Sequence, residues 1–481
     1  MKRILNFIDG QFRPPASGRY LPNVEPATGR VIAEIADGGP EDVDAAVAAA
    51  SRAFEGWRRT PAEERSRLLL RVADLIEANF DELARLESED SGKPIALARR
   101  MDVPRAILNF RFFATAILHA ETSAHMTDDR ALNYTLRQPL GVAGLISPWN
   151  LPLYLLTWKI APAIAAGNTS VAKPSELTPM TADRLAALIA EAGIPPGVVN
   201  VVHGPGASAG RALTAHPKVP LISFTGGTKT GADVMTHAGP LFKKVSLELG
   251  GKNPNVVFAD ADLEQAVPTS IQSSFSNQGE ICLCGSRLFV ERPIYDEFLD
   301  RFLAATRRLR IGDPLDPATE VGALVSDAHR SKVEGYVALA QEEGGRILTG
   351  GKRPANLPER VRGGWFLEPT VIAGLDCSKR CLQEEIFGPV VTITPFDSPE
   401  EAIAYANSTR YGLSASVWTR DLQKAHRVAA ALESGTVWVN TWLLRDLRVP
   451  FGGMKESGVG REGGFDSLAF FTEAKNVCVK L

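Results

Sequence analysis

From Gly141 onward the chain alternates short apolar runs with longer runs of helical period. "GVAGLISPW" reads as a strand and "LPLYLLTWKIAPAIAAG" as a helix. "TSVAKP", "VVNVVHG" and "VPLISFTG" continue as strands; "TPMTADRLAALIAEAG", "GASAGRALTAHP" and "GTKTGADVMTHAG" read as helices between and after them. Wholly apolar strands joined by helices predict a parallel, doubly wound sheet covered on both faces. Such sheets take ligands at the carboxyl ends of their strands. A second α/β rhythm begins after "ELGGKNPNVVFADADL" and runs to about residue 440.

Over residues 40–120 the pattern is mostly helical. "PEDVDAAVAAASRAFEGWRR" has acids early and arginines late, as the helix dipole favours. The run opening "PAEERSR" is expected to continue helically and stop at Gly92, and Asp9-Gly10 reads as a hairpin turn. Met101, Arg105, Leu108 and Phe112 fall at i, i+4, i+7 and i+11, which predicts one helix face, apolar except for its arginine. Segments 121–139 and 463–481 stand outside both rhythms. Each reads as strand-rich and partly apolar, and an exposed apolar strand seeks a partner, so a subunit contact is expected there.

A length of 481 residues implies more than one domain. A net charge of −3 offers no basic surplus for nucleic acid or an anionic membrane. No apolar window is long enough to span a bilayer, and the start lacks the apolar core of a signal peptide. Five cysteines make no disulfide framework, so the reducing cytoplasm is the expected compartment. Cys282 and Cys284 are spaced C-x-C, but the other cysteines are distant and no His lies near them, so no metal site is expected.

The remaining reading of "NQGEICLCGSR" is a nucleophile on a turn, Cys282. A thiolate adds to an electrophilic carbon. With an aldehyde it gives a thiohemiacetal, which loses hydride to a nicotinamide and leaves a thioester for water to cleave. The hydrolysis needs a base, and Glu248, ending an apolar strand, is placed for burial to raise its pKa. The oxyanion needs donors, and the Asn150 side chain and the Cys282 N–H are candidates. Cys284 reads as a small buried residue. "FTGGTKTG" follows a strand and opens a helix, so Gly226 and Gly227 let backbone approach a diphosphate. "VAKPSE" ends the neighbouring strand with Lys173 and Glu176; a ribose fits the pair, and Glu176 would repel a 2′-phosphate.

"SPWNLPL", "KPSE", "FTGGTKTG", "LELGGKNP", "NQGEICLCGSR", "IGDPLDP", "EEIFGPV" and "PFGGMKESGVGREGG" occur in an order and spacing that resembles the aldehyde dehydrogenase superfamily across nearly the whole chain. The resemblance implies an α/β fold of two doubly wound parallel-sheet domains with a small β oligomerisation arm. Residues 1–120 and 140–250 would bind NAD, 251–446 would hold the nucleophile, and 121–139 with 463–481 would form the arm. It implies Cys282 as nucleophile, Glu248 as deacylating base and Asn150 as oxyanion donor. Ile146, Trp149, Lys173, Glu176, Gly206, Phe224, Gly226, Gly227, Leu249, Glu385 and Phe387 would hold NAD, with Lys159 near the reacting water or ribose. Homodimers or homotetramers are the usual assemblies. Two positions depart from many relatives: Gly227 stands where Ser is common, and Glu280 where Gln is common.

The resemblance further implies a substrate pocket lined by Arg105, Leu151, Trp158, Ile281, Leu283 and Arg445. Two arginines in an apolar tunnel would hold a carboxylate by bidentate bonds. The alternative is that Arg105 pairs with a structural acid and Arg445 with Asp446. Together with "ALNYTLRQPLGV" and the Arg-containing loop, this resembles the 2-aminomuconate and 2-hydroxymuconate semialdehyde dehydrogenase subgroup, and "NQGEICLCGSR" points toward the 2-amino compound. Succinate or another aliphatic semialdehyde, a betaine-type aldehyde, a coenzyme A acceptor and a non-catalytic binding relative are the rival readings; Glu248 argues for water over coenzyme A.

Overall fold

The computed structural model describes every residue from Met1 to Leu481. The first apolar rhythm forms an eight-stranded sheet. Its centre is four parallel neighbours: Lys244–Glu248, Leu221–Thr225, Val142–Ile146 and Thr169–Lys173. Val199–Val201 joins in parallel, and the hairpin Asn6–Ile8 and Gln11–Arg13 closes that edge through Asp9 and Gly10, both at positive φ. Nearly every strand residue at the centre is buried, which is why the strands read as continuous apolar runs rather than as alternations. The second rhythm forms a seven-stranded sheet, parallel except for Arg346–Thr349, with Pro254–Val257, Arg287–Glu291 and Ser414–Trp418 at its heart. Each sheet has its own cores between strands and covering helices.

A short return strand, Gly458–Val459, pairs antiparallel with Lys244–Glu248 at the edge of the first sheet. This carries the chain beyond the second sheet back onto the strand that ends in Glu248.

Three local expectations need correction. The helical run after Pro61 is two helices, Ala62–Ala78 and Phe80–Ser91, broken at Asn79, whose side chain bonds back to the Leu75 carbonyl. The second does stop at Gly92, at φ 77°. The stripe through Arg105 is not one face: Leu108 is 48% exposed, while Ala106, Phe110 and Phe113 are buried. Arg105, Leu108 and Phe112 all lie in the regular helix Val103–Ala116, whose buried arc is centred on Ala106, Phe110 and Phe113 and leaves Leu108 outside, while the π-turn Ala98–Asp102 ahead of it shifts Met101 relative to the other three. Finally, 463–481 is not strand throughout, because Gly464–Phe470 is helical before the strand Thr472–Lys480.

That strand pairs along its whole length with Ala131–Pro139, which also pairs with Ala124–Thr127. Met126, Leu132 and Val479 lie in one cross-strand row, and Tyr134 and Val477 in the next on the same face. Met126, Leu136 and Val479 are each at least 40% exposed. One face of this small sheet is thus a continuous apolar surface.

Candidate active site

The turn that carries Cys282 is bent by necessity. Asn277, Gln278 and Gly279 all have positive φ, a costly run for the first two. A Cβ on Gly279 would lie 2.2 Å from the Gly388 carbonyl oxygen, so this turn touches the loop carrying Glu385 and Phe387. Asn277 donates to the Asn150 and Glu280 carbonyls, and Asn253 donates to the carbonyls of Cys282 and Cys284. Buried amide side chains therefore hold the strained turn from both sides.

Cys282 stands where two cavities meet, since it lines both of them. Its thiol is pushed up to about 12, by burial first and then by Glu385 and Glu248, so the resting group is a protonated thiol. The Cys282 amide lies against its own sulfur. The Asn150 amide donates to the Glu280 carbonyl at 2.9 Å, which fixes its plane and leaves its second N–H for another acceptor. Cys284 is buried, and all five cysteines are free.

The larger cavity measures about 490 Å³ and runs along the carboxyl ends of the first sheet. Every residue expected at the cofactor lines it: Ile146, Trp149, Lys173, Glu176, Gly206, Phe224, Gly226, Gly227, Leu249, Glu385 and Phe387. Lys173 bonds Glu176 at 2.8 Å. Burial opposes the charge on Glu176, but Lys173 holds its carboxyl below the usual range. Gly227 is the N-cap of Thr228–Ala238, and a Cβ there would meet nothing within 4 Å, so bare backbone faces the cavity where a diphosphate needs it. Glu385 accepts from the Gly251 N–H at 2.9 Å. A dinucleotide fits this lining from ribose ligands to nucleophile.

Among the lining residues that the sequence did not single out are His329 and Lys332, from the Asp327–Glu342 helix of the second sheet. Burial lowers the His329 imidazole to about 4, and its Nε2 carries the proton that it donates to the Phe387 carbonyl at 2.6 Å. Trp149 packs edge-on against both His329 and Phe387. Nothing in "SDAHRSK" alone marks these residues, because their partners come from the opposite sheet.

The smaller cavity is narrow and mostly apolar. Met101, Leu151, Tyr154, Trp158, Ile281, Leu283 and Phe451 line it, with Arg445, Glu248 and Cys282. Both carboxylate oxygens of Glu248 are buried without a hydrogen-bond partner. Its pKa is raised well above the usual carboxylate range, by burial first and then by the charge of Glu462. Glu462, in "GREGG", has no role legible in the sequence. It accepts from Trp158 Nε1 at 2.6 Å, from Lys159 Nζ at 3.2 Å and from Ser223 Oγ at 2.8 Å. Lys159 is therefore committed to Glu462 and Ser223 rather than to a ribose. The pairing spans 303 residues, beyond any local pattern.

Arg105 and Arg445 converge on the indole of Trp158, with guanidinium carbons 5.1 and 5.9 Å from its ring. Arg105 also lies over Tyr154, and Arg445 sits 3.9 Å over Phe451. Arg105 is buried behind the cavity wall rather than lining it. It pairs with no acid; its Nε donates to Asn109 at 3.1 Å and its Nη2 is buried without a partner. Asp446 pairs with Arg448, not with Arg445. The alternative of two structurally paired arginines is thereby overturned.

A strained cysteine turn facing a buried unpaired glutamate, across the mouth of a dinucleotide-shaped cleft, defines a class. The chain belongs to the aldehyde dehydrogenase family, whose model matches residues 12–477, and it is an NAD-dependent oxidoreductase of aldehydes. It is 55% identical to the 2-aminomuconic semialdehyde dehydrogenase of Danio rerio over 99% of this chain and 98% of that one. It is 50% identical to the 2-hydroxymuconic semialdehyde dehydrogenase of Pseudomonas sp. (strain CF600) over the full length of both. The NAD⁺ complex of an aldehyde dehydrogenase from Bacillus cereus superposes with a TM-score of 0.97 at 40% identity, covering 100% of this chain and 97% of that chain. No helix is long and apolar enough to cross a membrane.

Proposed function

We propose that this NAD-dependent enzyme oxidises a carboxylate-bearing semialdehyde of the muconate type, 2-aminomuconate 6-semialdehyde or 2-hydroxymuconate semialdehyde, to the dicarboxylic acid. The observation that carries the reading is the pair of arginines, free of any acid, packed on Trp158 beside the cavity that ends at Cys282. Their contacts with aromatic rings are worth about 0.5–2 kcal/mol each and leave most of the guanidinium donors unused. A substrate carboxylate would take Arg445, which lines the cavity, in a charge-assisted pair, and Arg105 behind the wall would add its charge.

In this mechanism Glu248 accepts the thiol proton of Cys282 as sulfur adds to the aldehyde carbon. The second N–H of Asn150 and the Cys282 amide receive the developing oxyanion. Lys173, Glu176, Glu385 and Phe387 would hold NAD, which when bound would supply the hydride acceptor. Once hydride has left, a thioester remains on Cys282. Glu248 passes the thiol proton on to solvent, then takes a proton from water as the water oxygen attacks the acyl carbon, and returns that proton to sulfur as the C–S bond breaks, which releases the acid and restores the thiol. Glu176 would repel a 2′-phosphate and so selects NAD over NADP.

The strand content supports assigning 1–120 and 140–250 to the cofactor domain and 251–446 to the catalytic domain. The apolar face of the three-stranded sheet, built from 121–139 and 463–481, is read as the contact of a homodimer or homotetramer. Five free thiols suit the reducing cytoplasm.

The direct test of the chemistry is Glu248→Ala incubated with substrate and NAD. A thioester should accumulate on Cys282 and appear in the intact mass; normal steady-state turnover would remove Glu248 as the base.

A further inference from the structure

Three charged side chains with no place in the chemistry lie completely buried: Lys93, Glu87 and Asp102. Lys93 Nζ is 2.9 Å from Asp102 Oδ1 and 3.3 Å from Glu87 Oε1. Asp102 belongs to one wall of the substrate cavity, and Glu87, on the Phe80–Ser91 helix, is bonded to a second. Asp102 is the last residue of the π-turn Ala98–Asp102, which carries Met101 on the cavity side and leads, three residues later, to Arg105. Glu87 accepts from the Leu153 N–H, in the first turn of the Pro152–Ala165 helix, and from Thr181 Oγ1. That helix carries Tyr154 and Trp158, and Asn150 directly precedes it.

Burying three charges is expensive, and apolar side chains of the same volume would hold these elements at least as firmly. The ionic cluster fixes something packing does not. A π-turn holds one residue more per turn than an α-helix, and relaxation to α geometry would turn everything beyond it by about 100°. Arg105 would then leave the Trp158 face. The Lys93–Asp102 contact pins the residue at which that slip would begin, and Glu87 ties the same ammonium to the helix that bears Trp158. The second oxygen of Asp102 is buried without a partner, so the site tolerates an unsatisfied acceptor to keep this contact.

We propose that Lys93, acting through Asp102 and Glu87, is a positioning residue that holds Arg105 in register with Trp158 and so sets the preference for carboxylate-bearing aldehydes. The inference rests on the carboxylate reading of Arg105. It concerns groups that never touch substrate, so its signature is a KM that changes for one substrate class while turnover stands.

The test compares Asp102→Ala, Asp102→Asn and Arg105→Ala, using a carboxylate-bearing semialdehyde and a neutral aldehyde of equal length. Asp102→Ala leaves Lys93 and Glu87 as a balanced pair. It should raise KM for the carboxylated substrate about tenfold or more, the scale of a misaimed positioning group, and leave kcat and the neutral KM within about twofold. Asp102→Asn, which keeps the shape and one acceptor, should recover most of the loss. If Asp102→Ala does not fold, the triple variant Lys93→Met, Glu87→Gln, Asp102→Asn removes all three charges together and should show the same one-sided KM change. An equal loss on both substrates, or a lower Tm with no KM change, makes the cluster purely structural and overturns the proposal. If Arg105→Ala itself fails to separate the two substrates, the carboxylate reading falls and takes this one with it. If Arg105→Ala separates them and the cluster variants do not, only this proposal falls.

Discussion

Glu248 and Glu462 are adjacent acids with opposite support. Glu462 is held by an indole N–H, an ammonium and a hydroxyl, whereas Glu248 has no partner. The charge of Glu462 therefore raises the proton affinity of Glu248. A base with a raised pKa loses activity as pH falls through that value, so kcat should have an acid limb set by Glu248. Glu462→Gln keeps the size but removes the charge, and should move that limb to lower pH by a few tenths to about one unit. A limb that stays put, or moves up, would show that Glu462 does not tune the base. Cys282, Glu248 and Asn150 stood out in the sequence because each sits in a local motif with a chemical reason, and the structure places all three on the two cavities; their catalytic roles are those proposed above. Glu462, His329 and Lys332 were not, because their meaning comes from partners on distant elements.

At the scale of elements, the nucleophile turn and the Glu385–Phe387 loop meet at Gly279, where only a missing side chain permits the approach. Gly279→Ala should displace the turn, lowering kcat by at least about tenfold and raising KM for NAD, with a stability loss of about 1–3 kcal/mol. Steady-state kinetics and thermal melting read both, and unchanged kinetics would show that the two loops move independently. The strands of the first sheet were legible because they are buried on both faces and uniformly apolar. The misjudged stripe through Arg105 has the opposite lesson. A four-residue pattern does not fix which arc of a helix is buried: Ala106, Phe110 and Phe113 set the packed arc of Val103–Ala116 and leave Leu108 outside, and the π-turn at Ala98–Asp102 displaces Met101 as well.

At the scale of the molecule, two sheets supply one site: the first brings Glu248, Asn150 and most of the cofactor cleft, and the second brings Cys282, Glu385, Phe387 and His329. The three-stranded sheet contributes nothing to either cavity, yet presents Met126, Leu132, Tyr134, Val477 and Val479 on one face. Under the subunit contact proposed for this face, Leu132→Asp with Val479→Asp should lower the mass seen by light scattering, and an unchanged mass would overturn that contact. The strand-rich composition of 121–139 made this sheet foreseeable, although the helix Gly464–Phe470 was not, since its glycine start and aromatic content resemble a strand.

The central claim is that a carboxylate at the far end of the aldehyde is what this pocket selects. The measurement that tests it most directly is the rate of NADH formation by the purified protein with 2-hydroxymuconate semialdehyde, succinate semialdehyde and a neutral aldehyde of similar size. The account predicts kcat/KM for the muconate compound well above the neutral aldehyde, on the order of tenfold or more for one charge-assisted contact, with the flexible succinate compound between them. Equal or better turnover of the neutral aldehyde would contradict the role given to Arg105 and Arg445 and leave only the aldehyde chemistry standing.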